Sequence, residues 1–381
     1  MLILLCISIF LILYTYFGYL FLVIIMGRLR NKIIHKSDFT PNVAFMISAY
    51  NEEKGIEEKL LNTLSIDYPK EKFEIIVVSD GSTDKTDEIV KNYASQGVRL
   101  IRVEGRVGKT EARNIAIKMI KSEIVIFSDG TTEYDKKSVQ VLVRNFSDSS
   151  VGMVSGHLKY IDPAKSQVGA AQKLFWKYES IIKKSQTKMG TLTGSIGCIT
   201  AFRRTLYTHL PANVIEDFTG PLFIVKQGFR VVFEEEAICY ELTTQKSSNE
   251  WNMRVRVIRG GMTGLLFARG VLNPFRYPFA SFQLISHKLL RWFVPIFLIT
   301  AMVSNVLLVL QGDACVYISI LLVLQCLFYT SALMAFGLEK CGIHFKIIGI
   351  PLYFVIVNSA SFVAIYKTMT STLGSTWETE R

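Results

Sequence analysis

The chain has 381 residues, enough for one large domain or two small ones with an ample core. Half of them are hydrophobic and the mean hydropathy is +0.31, high for a soluble protein. A net charge of +11 points to anionic lipid headgroups or an anionic substrate, and the six cysteines show neither CxxC spacing nor clustering, which argues against zinc and disulfides alike.

The apolar residues collect at the two ends. Residues 2–26 carry no charge and can cross a hydrocarbon core of about 30 Å. No positive charge precedes this run and no small-residue cleavage site follows it, so it reads as a span rather than a signal peptide. Arg28, Arg30, Lys32 and Lys36 come next, which places the following domain in the cytoplasm by the positive-inside rule.

From residue 42 the pattern alternates. "NVAFMISAY", "FEIIVVSD", "VRLIRV" and "SEIVIFSD" read as strands; "EEKGIEEKLLNTL", "DKTDEIVKNYASQG" and "KTEARNIAIKMI" read as helices. This α/β order predicts a parallel sheet with helices on both faces and a ligand beyond the carboxyl ends of the strands. Polar residues gather there: Ala49-Tyr50-Asn51-Glu52, Asp80 to Asp84, and Asp129-Gly130-Thr131. Such a rim repels a bare phosphate, but it suits a divalent cation holding a diphosphate, or a base and ribose. No GxGxxG follows the first strand, and "VEGRVGKT" lacks the first glycine of a phosphate-binding loop. Lys109 and Arg113 still offer positive charge at a helix start.

Residues 172–188 have apolar positions at helical spacing and form an amphipathic helix; no other basic run is interleaved with aromatics, so nucleic acid is not an expected partner. "TGSIGC" (193–198) is small enough for the backbone to approach a ligand. "EDFTGPLFIVKQG" begins a helix at Glu216-Asp217. Residues 275–293 mix aromatic and basic residues like a helix lying in the interface. Uncharged segments follow at about 292–311, 315–337 and 347–366, the first two joined by the tight turn "QGDA".

Seven stretches in order then define a resemblance: "ISAYNEE", "VVSDGSTDKT", "GKTEARN", "FSDGTT", "GSIGCITAFRR", "IEDF" and "RVRVIRG". Over about residues 42–265 the chain resembles a family 2 glycosyltransferase with the GT-A fold, of the membrane-bound group that includes cellulose, hyaluronan and chitin-type synthases. The resemblance implies that Ala49, Tyr50 and Glu52 line the nucleotide pocket and that Asp80 binds base or ribose. Lys109 and Arg113 would face the donor phosphates, Asp129 would bind metal, and Asp217 would be the catalytic base. Arg254, Arg256 and Arg259 match the family's Gln-Arg-x-Arg-Trp element, although Met253 and Val257 replace its Gln and Trp. Thr131 stands where the second acid of Asp-x-Asp belongs, leaving Asp129 and Thr131 as the expected metal ligands.

The expected organisation is a transmembrane helix over 1–27, a cytoplasmic GT-A domain over 40–270, an interfacial helix over 271–291, three transmembrane helices over 292–368 and a tail over 369–381. The expected activity is inverting transfer of a sugar from a nucleotide-sugar, UDP-linked by preference, with Mg2+ or Mn2+, onto a lipid-linked or polysaccharide acceptor at the inner membrane face. Polysaccharide-assembly proteins are candidate partners. The competing expectation, raised by the missing acid, is a catalytically silent nucleotide-binding scaffold or export partner.

Overall fold

The computed structural model describes residues 1–163, 166–244, 246–343 and 345–370; the "STWETER" tail (375–381) lies outside them. In chain order its principal helices are α1 (Leu2–Arg30), α2 (Ile56–Leu64), α3 (Thr86–Asn92), α4 (Lys109–Ile117) and α5 (Ser138–Val143). They continue with α6 (Gln167–Met189), α7 (Glu216–Lys226), α8 (Ser247–Phe267), α9 (Pro278–Leu310), α10 (Val316–Lys340) and α11 (Ile347–Thr370). Strands β1 (Val43–Ala49), β2 (Phe73–Asp80), β3 (Val98–Val103), β4 (Ile124–Asp129), β5 (Glu133–Tyr134), β6 (Val151–Ile161), β7 (Thr200–Arg203) and β8 (Arg230–Leu242) form one sheet, ordered β3-β2-β1-β4-β7-β6-β8-β5.

The first half of this sheet is parallel. β1 pairs with both β2 and β4, and β2 with β3, all in parallel register. The apolar runs of β1 and β4 need cover on both faces, and their side chains are almost entirely buried. The second half is mixed: β7 runs antiparallel to β4 and β6, while β8 runs parallel to β6 and antiparallel to β5. The expectation of a parallel sheet therefore holds for β1–β4 and gives way beyond them. β7 is four residues long and its pairing partners are distant in sequence, so no local pattern announces the reversal.

Among the described residues, α1, α9, α10 and α11 are long and apolar enough to cross a membrane. Residues 278–310 run on as a single helix, so the stretch expected to lie separately in the interface continues into the following span. Burial of Ser281, Gln283, Ser286 and His287 explains this: the face that looks amphipathic in sequence packs on protein.

α6 joins the sheet domain to these helices. The Ser166 hydroxyl caps its start by accepting from the Gly169 amide. Along its length, Tyr178 donates to the Tyr16 carbonyl at 2.8 Å, and Gln186 donates to the Tyr19 hydroxyl at 2.8 Å. Glu179 is buried between His287 at 3.2 Å and Arg291 at 2.5 Å. α7 and α8 also reach these long apolar helices, through Phe218 against the Trp292 ring at 5.8 Å and through Trp292 against Gly261.

Candidate active site

Three loops at the carboxyl ends of the parallel strands are stitched into one rim. After β1, the Asn51 side-chain oxygen accepts the Thr83 amide at 2.8 Å, and the Glu52 amide donates to Thr86 Oγ1 at 2.7 Å. Asp84 accepts from the Glu53 and Thr86 amides, both at 3.0 Å. Those hydrogen bonds hold its carboxyl below the usual range against the opposing effect of burial. After β2, Asp80 Oδ1 and Oδ2 accept the amides of Val107 and Gly108 at 2.8 and 2.9 Å. Asp80, expected at the base or ribose, thus fixes the loop that launches α4. Ala49 is buried at the end of β1, and the Tyr50 ring lies 4.1 Å under the Arg106 guanidinium.

The tip of β4 is the electrostatic centre. Asp129 Oδ1 receives Lys109 Nζ at 2.5 Å and Arg113 Nη2 at 3.3 Å. Burial opposes its charge, yet Lys109 and then Arg113 hold its pKa down. Thr132 Oγ1 donates to the Asp129 carbonyl at 3.1 Å and closes the turn, which leaves Thr131 exposed beside it. Glu52 reaches the same tip: a Cβ at Gly130 would stand 3.4 Å from its carboxyl carbon. Lys59, buried beneath the turn, donates to the Thr132 carbonyl at 2.5 Å, and desolvation lowers its pKa to about 8.

Lys109 and Arg113 lie one turn apart on α4 but occupy different worlds. The Lys109 side chain remains 26% exposed, whereas that of Arg113 is 2% exposed. Arg113 Nε donates to Ser48 Oγ at 2.8 Å, Nη1 pairs with Glu216 Oε2 at 2.5 Å, and the guanidinium lies 4.2 Å from the Phe127 ring centroid. Burial works against this charge, but Glu216 and Asp129 outweigh it and raise its pKa. Arg113, expected to face phosphates, instead ties β1, β4 and α7 together, because three of its neighbours are acids or hydroxyls and none of them faces solvent freely.

Asp217 opens α7 beside this cluster. Among the described residues no hydrogen bond or ion pair reaches its carboxylate, and burial pushes its pKa up against the pull of Lys109. Its backbone carbonyl is gripped by Ser195, whose amide and hydroxyl donate at 2.7 and 3.1 Å. Gly197 lies against its side chain, where a Cβ would come within 3.3 Å of Asp217 Cβ. On the other side α8 approaches closely: a Cβ at Gly260 would stand 2.3 Å from Ile215 and one at Gly264 2.1 Å from Thr219. These two glycines, one helical turn apart, let α8 pack against the residues flanking Glu216-Asp217. The small-xxx-small spacing is visible in "RGGMTG" and was the overlooked signal.

The arginines of α8 separate. Arg254 pairs with Glu250 at 2.8 Å and donates to the Tyr353 hydroxyl at 2.5 Å, so it faces α11 rather than the strand tips. Arg256 feels Asp129 and Asp217, which oppose the lowering of its pKa by burial. Arg259 lies one turn further on and is partly buried. Among the described residues no three His, Cys, Asp or Glu side chains gather closely enough to cage a metal ion.

A curled α/β sheet with acids and cations collected at one edge, backed by apolar helices, is the arrangement of the GT-A fold. Residues 44–210 match the family profile "Glycosyl transferase family 2". The chain is 29% identical over 238 residues to the poly-beta-1,6-N-acetyl-D-glucosamine synthase of Staphylococcus aureus (strain COL), covering 60% of this chain and 57% of that one. The synthase of the same name from Staphylococcus epidermidis is 28% identical over 233 residues, covering 59% and 55%. The chain thus matches less than three-fifths of the length of these relatives. The fold matches the mannosyltransferase PcManGT of Pyrobaculum calidifontis, solved with GDP-Man and Mn2+, at a TM-score of 0.71 and 21% identity over 96% of this chain and 99% of that one.

Proposed function

We propose that the protein transfers a sugar, with inversion, from a UDP-sugar to a hydroxyl of a lipid-linked or polysaccharide acceptor at the cytoplasmic membrane face. The observation that carries this reading is the partly buried Asp217 carboxylate, without a hydrogen bond or ion pair among the described residues, beside the Asp129–Lys109 pair. In the proposed mechanism the acceptor hydroxyl gives its proton to Asp217 as its oxygen attacks the anomeric carbon. The bond to the diphosphate breaks on the opposite face, and Lys109 and Arg256 stabilise the charge released there. Desolvation suits Asp217 to this role, since a raised pKa strengthens it as a base.

The donor set fits a divalent ion shared with substrate, not one caged by protein. Both cations on Asp129 use Oδ1, so Oδ2, with the exposed hydroxyl of Thr131, is the group we assign to Mg2+ or Mn2+. Diphosphate oxygens and waters would complete the coordination, as such ions commonly require. The ion would supply Lewis-acid stabilisation of the leaving diphosphate. Asp80, Tyr50 and Glu52 shape the nucleotide pocket, Asp80 by holding the 105–108 loop. Arg254 and Arg113 act as positioning residues.

The test is a screen of membranes containing the full chain with labelled UDP-sugars, with and without Mg2+ or Mn2+. Transfer that Asp217→Asn abolishes while nucleotide binding persists is expected. Nucleotide binding with no turnover for any donor would overturn the reading in favour of a silent scaffold or export partner, the alternative that the absent second acid of Asp-x-Asp suggests.

A further inference from the structure

A groove of about 760 Å³ lies between the end of α1, one face of α6 and the strands β6 and β8. Six cations line it, Arg28, Lys159, Lys173, Lys177, Lys184 and Lys188, against a single acid, Glu235. Lys184 pairs with Glu235 at 2.6 Å. Among the described residues no ion pair reaches the other five, and all five are exposed. The α6 lysines fall at spacings of four, seven and four, which stacks them on one helix face where like charges repel. An anion entering the groove relieves that repulsion.

The position of the groove selects the anion. Ile24, Gly27 and Arg28 come from the end of α1, the apolar helix whose uncharged stretch stops just before Arg28. Ile161 and Ile181 add two exposed apolar side chains to the lining. Trp176 and Tyr160, with ring centroids 5.7 Å apart, also line it, and such residues settle at the headgroup level of a bilayer. The Trp176 indole N–H is buried without an acceptor among the described residues.

We propose that this groove binds the phosphodiester headgroup of an anionic phospholipid from the leaflet that α1 leaves. The lysines meet the phosphate, and the isoleucines lie along the first carbons of the acyl chains. The bound lipid fastens α6, and through it the sheet domain, to the membrane surface. This inference does not depend on the role assigned to Asp217.

The experiment uses the purified full chain in neutral detergent, with bound lipid counted by native mass spectrometry. Short-chain phosphatidylglycerol is expected to bind where short-chain phosphatidylcholine does not. The triple variant Lys173→Gln, Lys177→Gln, Lys188→Gln should weaken phosphatidylglycerol binding about 10- to 100-fold. A control with the same charge loss at the exposed Lys70, Lys91 and Lys121 should leave it unchanged. Should the triple variant fail to purify, Lys177→Gln alone carries the test, expected to weaken binding several-fold. Equal binding of phosphatidylcholine, or unaltered phosphatidylglycerol binding by the variants, would overturn the proposal. Complete displacement by an equal concentration of inorganic phosphate would also overturn it, by assigning the groove to a free anion.

Discussion

Arg113 and Lys109 share one carboxylate oxygen, yet removing them should have opposite consequences. Arg113→Met takes a cation from a site where its own side chain is 2% and that of Glu216 8% exposed. Glu216 Oε1 already lacks a hydrogen-bond partner among the described residues, so the variant leaves this acid without its ion pair and with only the more distant Lys109 to offset its desolvation. Breaking a buried pair from one side costs about 3–5 kcal/mol. At about 2–4 °C per kcal/mol, the melting temperature should fall on the order of 10 °C. Lys109→Met removes a pair whose side chains are 26% and 32% exposed, where solvent screening limits the cost to about 1 kcal/mol or less. Its effect should appear in turnover instead, as a loss of charge stabilisation at the leaving group. Thermal unfolding of the purified chain, followed by tryptophan fluorescence, separates the two. The double variant Arg113→Met, Glu216→Gln should regain much of the lost stability, because both partners are then neutral. An Arg113→Met chain that melts within about 2 °C of wild type would refute the assignment of Arg113 as a buried tie.

The acidic limb of the pH–rate profile should lie above the ordinary carboxylate range, because activity is lost as pH falls through the raised pKa of Asp217; Asp217→Asn should lower kcat by about 10²- to 10⁴-fold across the whole pH range. Lys59 should make the chain more stable as pH rises above about 8. Between that value and its unfolded pKa of about 10.4 the unfolded chain binds more protons, worth on the order of 3 kcal/mol. Urea titrations at pH 8 and pH 10 should show this rise in wild type and a much smaller one in Lys59→Met. Gly197→Ala, whose new methyl would stand 3.4 Å from Asp217 Oδ2, should cut kcat about tenfold with little change in melting temperature, as steady-state kinetics beside a thermal melt would reveal.

The sequence made the strand tips legible because their signal is local. An apolar run that ends in Asp-Gly marks both a buried strand and the place where its carboxylate emerges; β2 and β4 follow that rule, and β1 ends instead in Tyr-Asn-Glu. The roles of the arginines were not legible in the same way. Arg113 sits at a helix start like any phosphate ligand, and its burial follows from Ser48 and Glu216, residues 65 and 103 positions away. Arg254 likewise turns towards Tyr353, across 99 positions, although its motif placed it with Arg256. The stretch 275–293 poses a related problem: amphipathic spacing reports that one face is buried and does not say whether lipid or protein buries it; here Ser281, Gln283, Ser286 and His287 pack on protein while Phe275, Ile285 and Phe293 stay exposed.

The charges at the β4 tip suggest why a single strand-tip acid can suffice. Asp129, Glu216 and Asp217 stand against Lys109, Arg113 and Arg256, a set that is formally neutral before donor arrives. Arg113 is held by Asp129 and Glu216, so Lys109 and Arg256 are the cations proposed to meet a diphosphate entering the site. A second acid at position 131 would shift the balance towards repulsion of that diphosphate unless a cation were already bound. With Thr131 there, the cation and the diphosphate have reason to arrive together, each lowering the cost of the other. Under the proposed mechanism the missing acid would make metal affinity depend on donor, and would leave the loaded site close to neutral around Asp217, the proposed base.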